Sequence, residues 1–250
     1  MNPDSQATAA AKRLVRCTLV WLLFGVGGGL LVLWRPTAFQ PAVAVAAGLW
    51  VLFTGFVLYF FRDPNAETPT ATEAIVSPAH GRVDVVDETN EPEFMVGRCR
   101  RVSVFLSVLD VHIQNAPVAG RVVCVKHQPG QFLNAMRTES AQCNENQLIG
   151  MASAEAPGER VAVRQIAGFI ARRVVAWVKE GDAVARGQRL GLIQFGSRCD
   201  LYLPLSTEIA VRPGDKVVGG VTIVARRPLS PRSSAHFSPV SEDREADVIE

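Results

Sequence analysis

The chain has 250 residues, a formal net charge of +2 and a hydrophobic fraction of 48%. A net charge this close to zero gives no global basic field, so we expect no binding to nucleic acid. The five cysteines are odd in number and form no Cys-x-x-Cys pair, which argues against a metal site or a disulfide framework and predicts a reducing compartment.

Two uncharged apolar stretches lie near the N-terminus, at 17–34 and 36–61. Each is long enough to cross a bilayer as a helix, and the prolines of "RPTAFQP" (35–41) predict a turn between them. We therefore predict a transmembrane helical hairpin over 17–61. A cleaved signal peptide is the alternative interpretation of the first stretch, but a second apolar stretch follows it at once.

Basic residues predict the orientation of this hairpin. Three precede it within the segment 1–16 and Arg62 follows it, whereas the turn between the helices holds only Arg35. The positive-inside rule then places both ends in the cytoplasm. The segment 1–16 and the domain after the hairpin are expected on that side of the membrane.

Short β-type runs punctuated by Gly and Pro fill residues 74 to 227. Two turns between them are alike, "VKEGDAVARGQ" (178–188) and "VRPGDKVVGGV" (211–221). We predict a mainly β domain over 62–227, a pseudo-symmetric β-sandwich or flattened barrel. Its Gly-Asp turns are similar to those of lipoyl- and biotinyl-carrier domains, but the hairpin between them carries no lysine that could be modified. The Pro-, Ser- and acid-rich tail at 228–250 is expected to be disordered.

The hairpin between these two turns reads "QFGSRCDLYLP" (194–204) and places Gly196-Ser197 between two strands. A serine hydroxyl in this setting can attack the carbonyl carbon of the preceding glycine and convert the peptide bond to an ester. Elimination then breaks the chain and leaves an N-terminal pyruvoyl group. Glycine helps because it has no Cβ to block the attack. By itself the Gly-Ser-Arg triplet is equally typical of a surface turn.

A polar cluster follows another predicted strand, in "FLSVLDVHIQNAP" (105–117). It holds Asp110, His112, Gln114 and Asn115 before a proline. A single histidine at a strand end is more often a structural group than a catalytic one. This segment alone therefore identifies no chemistry.

Taken together and in order, several segments from about Tyr59 to Ala225 resemble the phosphatidylserine decarboxylases of the short, bacterial and archaeal-type branch. They are "YFFRDP" (59–64), "IVSPAHGRV" (75–83), "LDVHIQNAP" (109–117), "PGQFLNA" (129–135), "CNENQ" (143–147), "QIAGFIARRV" (165–174) and "QFGSRCDLYLP" (194–204). The resemblance implies an enzyme of the bacterial inner membrane with its catalytic domain in the cytoplasm. It also implies that this enzyme converts phosphatidylserine to phosphatidylethanolamine and CO2.

The resemblance also implies the site. Self-cleavage between Gly196 and Ser197 would give a covalent pyruvoyl cofactor on Ser197, with chains 1–196 and 197–250 held as a heterodimer. The substrate amine would form a Schiff base with the pyruvoyl carbonyl, and His112 would assist proton transfer during decarboxylation. Homo-oligomerisation is also compatible with the sequence.

One departure concerns His80, which stands where the family pattern "SPADG" has an aspartate. In the longer branch of the family that aspartate belongs to the Asp-His-Ser triad that drives self-cleavage. We expect the neutral imidazole of His80 to serve as the base for Ser197. Slow or lost processing is the alternative interpretation.

Candidate donors to the substrate phosphate and carboxylate are Arg62, Arg82, Arg198 and Asn115, chosen by position. Other classes of function stay open on the sequence. The chain could be a processing-deficient relative that acts as a membrane-anchored lipid-binding protein, with phosphatidylserine and anionic membrane lipid as its partners. A membrane-anchored scaffold or carrier is a further alternative, and so is a pyruvoyl decarboxylase for a soluble amino acid.

Overall fold

A computed structural model describes residues 12–23, 36–64, 67–132, 143–168, 173–193 and 197–228. Residues 12–23 are helical (α1), and a second helix, α2, spans Pro36–Phe60. Within α2, the window Val43–Phe60 has a mean hydropathy of 2.1, is 11% buried, and is long and apolar enough to cross a membrane. The second predicted span is thus a single helix. Beyond residue 23, the first predicted span lies outside the described residues.

The predicted turn at 35–41 is wrong from residue 36 onward, because α2 begins at Pro36 and includes Pro41. Proline is well accommodated at the first helical position, where no backbone N–H is needed for an intrahelical hydrogen bond. Pro36 therefore occupies the first position of the helix, whereas Pro41 lies inside it, in its second turn, and removes one intrahelical hydrogen bond without ending the helix.

Fourteen strands follow among the described residues, and they confirm the prediction of a mainly β domain. They are β1 (Ala74–Val76), β2 (Gly81–Glu91), β3 (Gly97–Leu106), β4 (Ile113–Asn115), β5 (Gly120–Gln128), β6 (Asn146–Ser153), β7 (Arg160–Ile166), β8 (Val174–Ala176), β9 (Ala183–Val184), β10 (Arg189–Ile193), β11 (Ser197–Leu203), β12 (Glu208–Ile209), β13 (Lys216–Val217) and β14 (Ile223–Arg226).

These strands form one large sheet and two small ones, with antiparallel pairing throughout. The large sheet has the order β13-β2-β3-β11-β7-β6-β5-β9, and the small sheets have the orders β1-β14-β12 and β4-β10-β8. Apolar side chains of the large sheet and of both small sheets share one main core, which includes Val104, Val163, Leu201, Leu190 and Val224. The small sheets therefore cover one face of the large sheet.

The two Gly-Asp turns have the same backbone geometry. Gly181 and Gly214 adopt positive φ angles of 91° and 99°, a region that favours glycine. Their N–H groups donate to the carbonyls of Val122 and Val83 respectively, both at 2.8 Å. The two turns that are alike in sequence therefore also share a backbone conformation and a backbone hydrogen bond. The likeness of these turns to carrier domains stays a prediction, as do the domain boundaries at 62 and 227.

The end of α2 packs on the small sheet β4-β10-β8. Val57, Phe60 and Phe61 form a buried cluster with Val111, Ile113 and Leu192. An ion pair reinforces the contact, since Arg189 Nε of β10 lies 2.6 Å from Asp63 Oδ2. The sheet that carries β10 therefore sits directly at the end of the apolar helix.

Candidate active site

Ser197 is the first residue of β11, at the centre of the large sheet between β3 and β7. Its side chain is fully buried, and its Oγ has no hydrogen-bond partner among the residues that the structure describes. A buried polar atom without a partner costs about 1–3 kcal/mol, so such atoms are rare outside functional sites. Gly196 lies outside the described residues. Because β10 ends at Ile193 in a small sheet, the chain crosses from that sheet to the large one just before Ser197.

His112 lies immediately before β4 and is fully buried. Its Nδ1 lies 2.9 Å from the carbonyl oxygen of Asp110, which can only accept, so Nδ1 carries the proton. The Phe60 ring lies 4.4 Å away between centroids. Burial lowers the pKa of His112 to about 4. The imidazole is therefore neutral near pH 7, with its basic lone pair on Nε2.

The backbone of His112 also holds the strand that leads to the serine. Its carbonyl oxygen accepts a hydrogen bond from the N–H of Ile193, the last residue of β10, at 3.1 Å. The histidine and the chain segment before Ser197 are thereby joined. The predicted catalytic histidine and the predicted cleavage region belong to one structural unit.

His80 lies in the bend just before β2. Burial, and secondarily the positive charge of Arg62, lower the pKa of His80 to about 4. His80 in turn adds to the lowering of the pKa of His112, so the two imidazoles are electrostatic neighbours. Both are uncharged at neutral pH and can accept a proton.

Strand register relates His80 to Ser197. Arg82 and Arg198 both pair with Phe105, from opposite sides of β3. The residues before them, Gly81 and Ser197, therefore flank β3 at two strand spacings, about 10 Å between backbones. A Cβ on Gly81 would lie 2.1 Å from the carbonyl oxygen of Phe105, so only glycine allows this close approach. The bend that carries His80 is thereby held against β3.

Asn115 lies next to His80. Its Nδ2 donates to the carbonyl oxygen of Gly187 at 2.8 Å, and its buried Oδ1 has no partner within the described part of the chain. A Cβ on Gly219 would lie 2.8 Å from that oxygen and 3.0 Å from His80 Cδ2. Gly219 thus allows its backbone to pack closely against a buried acceptor and a neutral histidine.

The three arginines predicted to bind substrate lie in different surroundings. Arg62 Nη2 donates to the carbonyl oxygen of Leu109 at 2.7 Å, in the turn that precedes His112. Arg82 is exposed, and its guanidinium donates to the carbonyl oxygen of Gly214 in a Gly-Asp turn. The structure thus brings Arg62, but not the guanidinium of Arg82, to the histidines.

Arg198 is fully buried. Its guanidinium donates to Asp200 Oδ1 at 2.8 Å, Ser103 Oγ at 2.8 Å and Asp84 Oδ2 at 3.3 Å. Side chains alternate along a strand, so Arg198 points to the face of the sheet opposite Ser197. These contacts give Arg198 a role in holding β2, β3 and β11 together.

A chain of two glutamine side chains joins the two sheets at this site; Gln114 belongs to the polar cluster of the sequence and Gln165 begins the motif "QIAGFIARRV", but the sequence assigned neither a role. Gln114 Nε2 donates to the carbonyl oxygen of His112 at 2.8 Å, so Gln114 Oε1 must accept, and Gln165 Nε2 donates to it at 2.7 Å. A backbone carbonyl thereby fixes both amides. Gln165 Oε1 is left as a buried acceptor for which the described ranges of the chain offer no partner. A glutamine inside the apolar strand run "RVAVRQIAGF" was the signal available in the sequence.

Gln165 lies on the same side of the sheet as Ser197. It pairs with Cys199, two residues beyond Ser197 on β11. Cys199 belongs to the main core together with Val163, two residues before Gln165 on β7. Since side chains two apart share a face, Ser197 and Gln165 face the small sheets together.

The fold and the site define a mainly β protein with a buried, unpartnered serine and two neutral histidines at the end of an apolar helix. The model of the phosphatidylserine decarboxylase family matches residues 53–225. The phosphatidylserine decarboxylase proenzyme of Symbiobacterium thermophilum is 48% identical over 185 residues, which cover 74% of this chain and 83% of that protein. Proenzymes of the same name from Desulfotalea psychrophila and Erythrobacter litoralis are 42% and 43% identical, over 71% and 76% of this chain and 82% and 80% of theirs. The chain belongs to the phosphatidylserine decarboxylase family.

Proposed function

We propose that the chain is a phosphatidylserine decarboxylase proenzyme that cuts itself between Gly196 and Ser197 and then releases CO2 from phosphatidylserine to give phosphatidylethanolamine. The observation that carries this proposal is Ser197, buried and without a hydrogen-bond partner where the chain passes from one sheet to another. A structural serine in this place would be expected to have a partner.

Self-cleavage begins with the Ser197 hydroxyl. Its oxygen attacks the carbonyl carbon of Gly196 while its proton passes to a base, and the bond from that carbon to the Ser197 nitrogen then breaks to leave an ester. Loss of the Ser197 Cα proton breaks the Cβ–O bond and releases a chain that ends in a glycine carboxylate. The remaining dehydroalanine takes up water, loses ammonia and becomes the pyruvoyl group. We assign the first proton transfer to His80, because its lowered pKa keeps it neutral.

The surroundings of Ser197 fit a pyruvoyl group. That group supplies an electrophilic carbonyl for the substrate amine and an electron sink for the bond that breaks to CO2. Gln165 Oε1, on the same face of the sheet as Ser197, and Asn115 Oδ1, beside His80, are buried acceptors without partners among the described residues, which suits N–H donors such as those of an amine. The Nε2 of His112 could take up the proton that the substrate ammonium loses and pass it to the substrate carbon after CO2 leaves.

The two chains that result are proposed to stay together as a heterodimer of 1–196 and 197–250. β11 would belong to the smaller chain, and it pairs on both sides with strands of the larger one, β3 and β7. β13 pairs with β2, and β14 pairs with β1. Their separation would break hydrogen bonds in two sheets and expose the main core. These non-covalent contacts are therefore enough to hold the two chains together after the peptide bond is cut.

The active site is proposed to face the cytoplasm from the inner membrane. α2 supplies the membrane span, and the cluster of Phe60 and Phe61 with Val111 and Ile113 holds the β domain against its end. Phosphatidylserine, which remains in the bilayer, would then meet the site where Arg62 leaves the helix. Arg62 is our candidate for contact with the anionic headgroup.

The proposal is tested by the intact mass of the full chain, purified from the membrane. We expect two fragments split after Gly196, the smaller with a blocked, pyruvoyl N-terminus, and phosphatidylserine decarboxylation in the same sample. Ser197→Ala should remain one chain without activity. Ser206→Ala, at an exposed serine just beyond β11, should be cut like the wild type. A single unbroken wild-type chain would instead identify a processing-deficient lipid-binding relative.

A further inference from the structure

We propose that the turn at 107–110 inserts the side chain of Leu109 into the surface of a phosphatidylserine-containing bilayer, and that substrate passes from the lipid to the active site beside this turn. The proposal rests on the membrane location proposed above and adds a second point of contact to α2. The exposed side chain of Leu109 has no part in the proposed cleavage chemistry and does not belong to α2.

Leu109 is a large apolar side chain with 62% of its surface exposed. The turn that carries it is closed by two hydrogen bonds between its ends. Asp110 N donates to the carbonyl oxygen of Ser107 at 2.9 Å, and Ser107 N donates to Asp110 Oδ2 at 2.8 Å. The leucine is thus presented by a turn of defined shape.

Arg62 ties this turn to the end of α2. Its Nη2 donates to the carbonyl oxygen of Leu109 at 2.7 Å, and its Nη1 donates to that of Tyr59 at 2.9 Å. The guanidinium carbon also lies 3.9 Å from the centre of the Tyr59 ring. The apolar window of α2 ends at Phe60. The bilayer surface that this helix defines therefore passes through Arg62 and Leu109, and tyrosine and arginine are the residues that favour such an interface.

The same turn supports the candidate catalytic histidine. The carbonyl oxygen of Asp110 accepts from His112 Nδ1 at 2.9 Å, and the Phe60 ring packs on the imidazole. A lipid whose acyl chains remain in the bilayer at Leu109 thus has its headgroup on the side of Arg62 and His112. This continuity favours a bilayer as the occupant over a second copy of the chain.

Leu205 provides a matched control. It is also an exposed leucine, at 39%, and its carbonyl oxygen also accepts from an arginine, Arg100 Nε, at 2.9 Å. It lies beyond the opposite end of β11 from Ser197, and that strand alone is about 20 Å long. The proposal predicts no lipid contact there.

The experiment places a tryptophan at each position, Leu109→Trp and Leu205→Trp, in the full chain in vesicles of phosphatidylserine and phosphatidylcholine. The emission of the four native tryptophans is subtracted with the wild type. We expect lipids brominated near the carbonyl end of their acyl chains to quench the added emission at 109 and to leave that at 205 unchanged. Equal quenching at both positions would overturn the proposal. A quench-resistant signal at 109 that shifts with protein concentration would assign the leucine to a second copy.

A second measurement tests the passage of substrate. Leu109→Asp should lower turnover of phosphatidylserine in vesicles about tenfold relative to Leu205→Asp, because a charged tip resists insertion. Equal turnover by the two variants would overturn the proposal. Self-cleavage of the same samples distinguishes a failure of this inference from a failure of the proposed function, since the proposed cleavage involves only residues of this chain.

Discussion

The two halves of the β domain share a backbone arrangement and differ in what they do with it. In one half, Arg82 on β2 pairs with Phe105 on β3, which pairs with Arg198 on β11. In the other half, Arg121 on β5 pairs with Ala152 on β6, which pairs with Arg160 on β7. Each half adds a small sheet of equivalent order, β1-β14-β12 or β4-β10-β8.

The position of Ser197 shows the difference most clearly. Arg198 and Arg160 occupy equivalent places in these two sets of paired residues. Ser197 precedes Arg198, so its counterpart in the other half is Glu159, which precedes Arg160. Glu159 accepts hydrogen bonds from Arg227, just past the end of β14, at 2.8 and 3.0 Å. At Ser197 the chain itself thus connects β10, in the small sheet β4-β10-β8, to β11 in the large sheet. At Glu159 an ion pair connects the end of β14, in the other small sheet, to the start of β7.

This comparison bears on the cut itself. At Glu159 the ends of β14 and β7 are held together without a peptide bond between them. Cleavage after Gly196 would leave the ends of β10 and β11 in the same arrangement, so the fold does not need the bond that is lost. The small sheet β4-β10-β8 differs in one more respect, because Ile113 and Leu192 pack on α2.

The largest effect is expected from His80→Ala. The counterpart of His80, before the matching glycine, is Ala119, so this substitution copies the half without a site and should leave the fold intact. If His80 takes the serine proton, self-cleavage should slow about 10²–10⁴-fold. A time course of precursor and product on a denaturing gel measures it. His127→Ala, at an exposed histidine that contacts Glu145, should cleave at the wild-type rate.

The pH dependence of wild-type cleavage sharpens this prediction. The pKa of His80 is lowered to about 4, so its neutral form persists well below neutral pH. Cleavage should hold to about pH 5 and fall as the pH drops through about 4, whereas an ordinary histidine would lose activity near its usual pKa of about 6.5. Wild-type speed in His80→Ala would remove His80 from the mechanism.

A loss of stability is expected from Arg227→Met, which removes the ion pair between Arg227 and Glu159. The side chains of Arg227 and Glu159 are 10% and 9% exposed, so the substitution leaves a nearly buried carboxylate without its arginine. Breaking such a pair costs about 3 kcal/mol. Urea denaturation of the uncut Ser197→Ala chain measures it. Arg98→Met, which breaks the exposed pair with Glu88, should cost less than about 1 kcal/mol, and equal losses would contradict the assignment.

The sequence predicted the repeat, the β class and the candidate serine because each depends on local pattern. Gly-Asp turns need glycine at positive φ, and ordered motifs identify Ser197 and His112. The predicted turn at 35–41 differs from the structure because proline is expected to end a helix on either side, although the first helical position accommodates Pro36 and α2 continues through Pro41.

Side-chain environments were harder to predict because they depend on contacts distant in sequence. Arg198 stands next to the serine in the chain, but strand alternation turns it to the other face, toward Asp84, Ser103 and Asp200. Gln165 becomes notable only when Gln114, 51 positions away, fixes which end of its amide is left without a partner. No local pattern carries that information.

The smallest effect is expected from Arg82→Met, and it separates the two interpretations of this arginine. In the structure its guanidinium holds the carbonyl oxygen of Gly214, as Arg121 Nη1 holds that of Gly181 at 2.8 Å. Arg82→Met and Arg121→Met should therefore lower the free energy of unfolding alike, by less than about 1 kcal/mol, because each removes one exposed hydrogen bond. Neither should change KM for phosphatidylserine in mixed micelles. A rise in KM for Arg82→Met alone would instead support Arg82 as a substrate-binding residue. It would also show that the two halves differ in function at this turn.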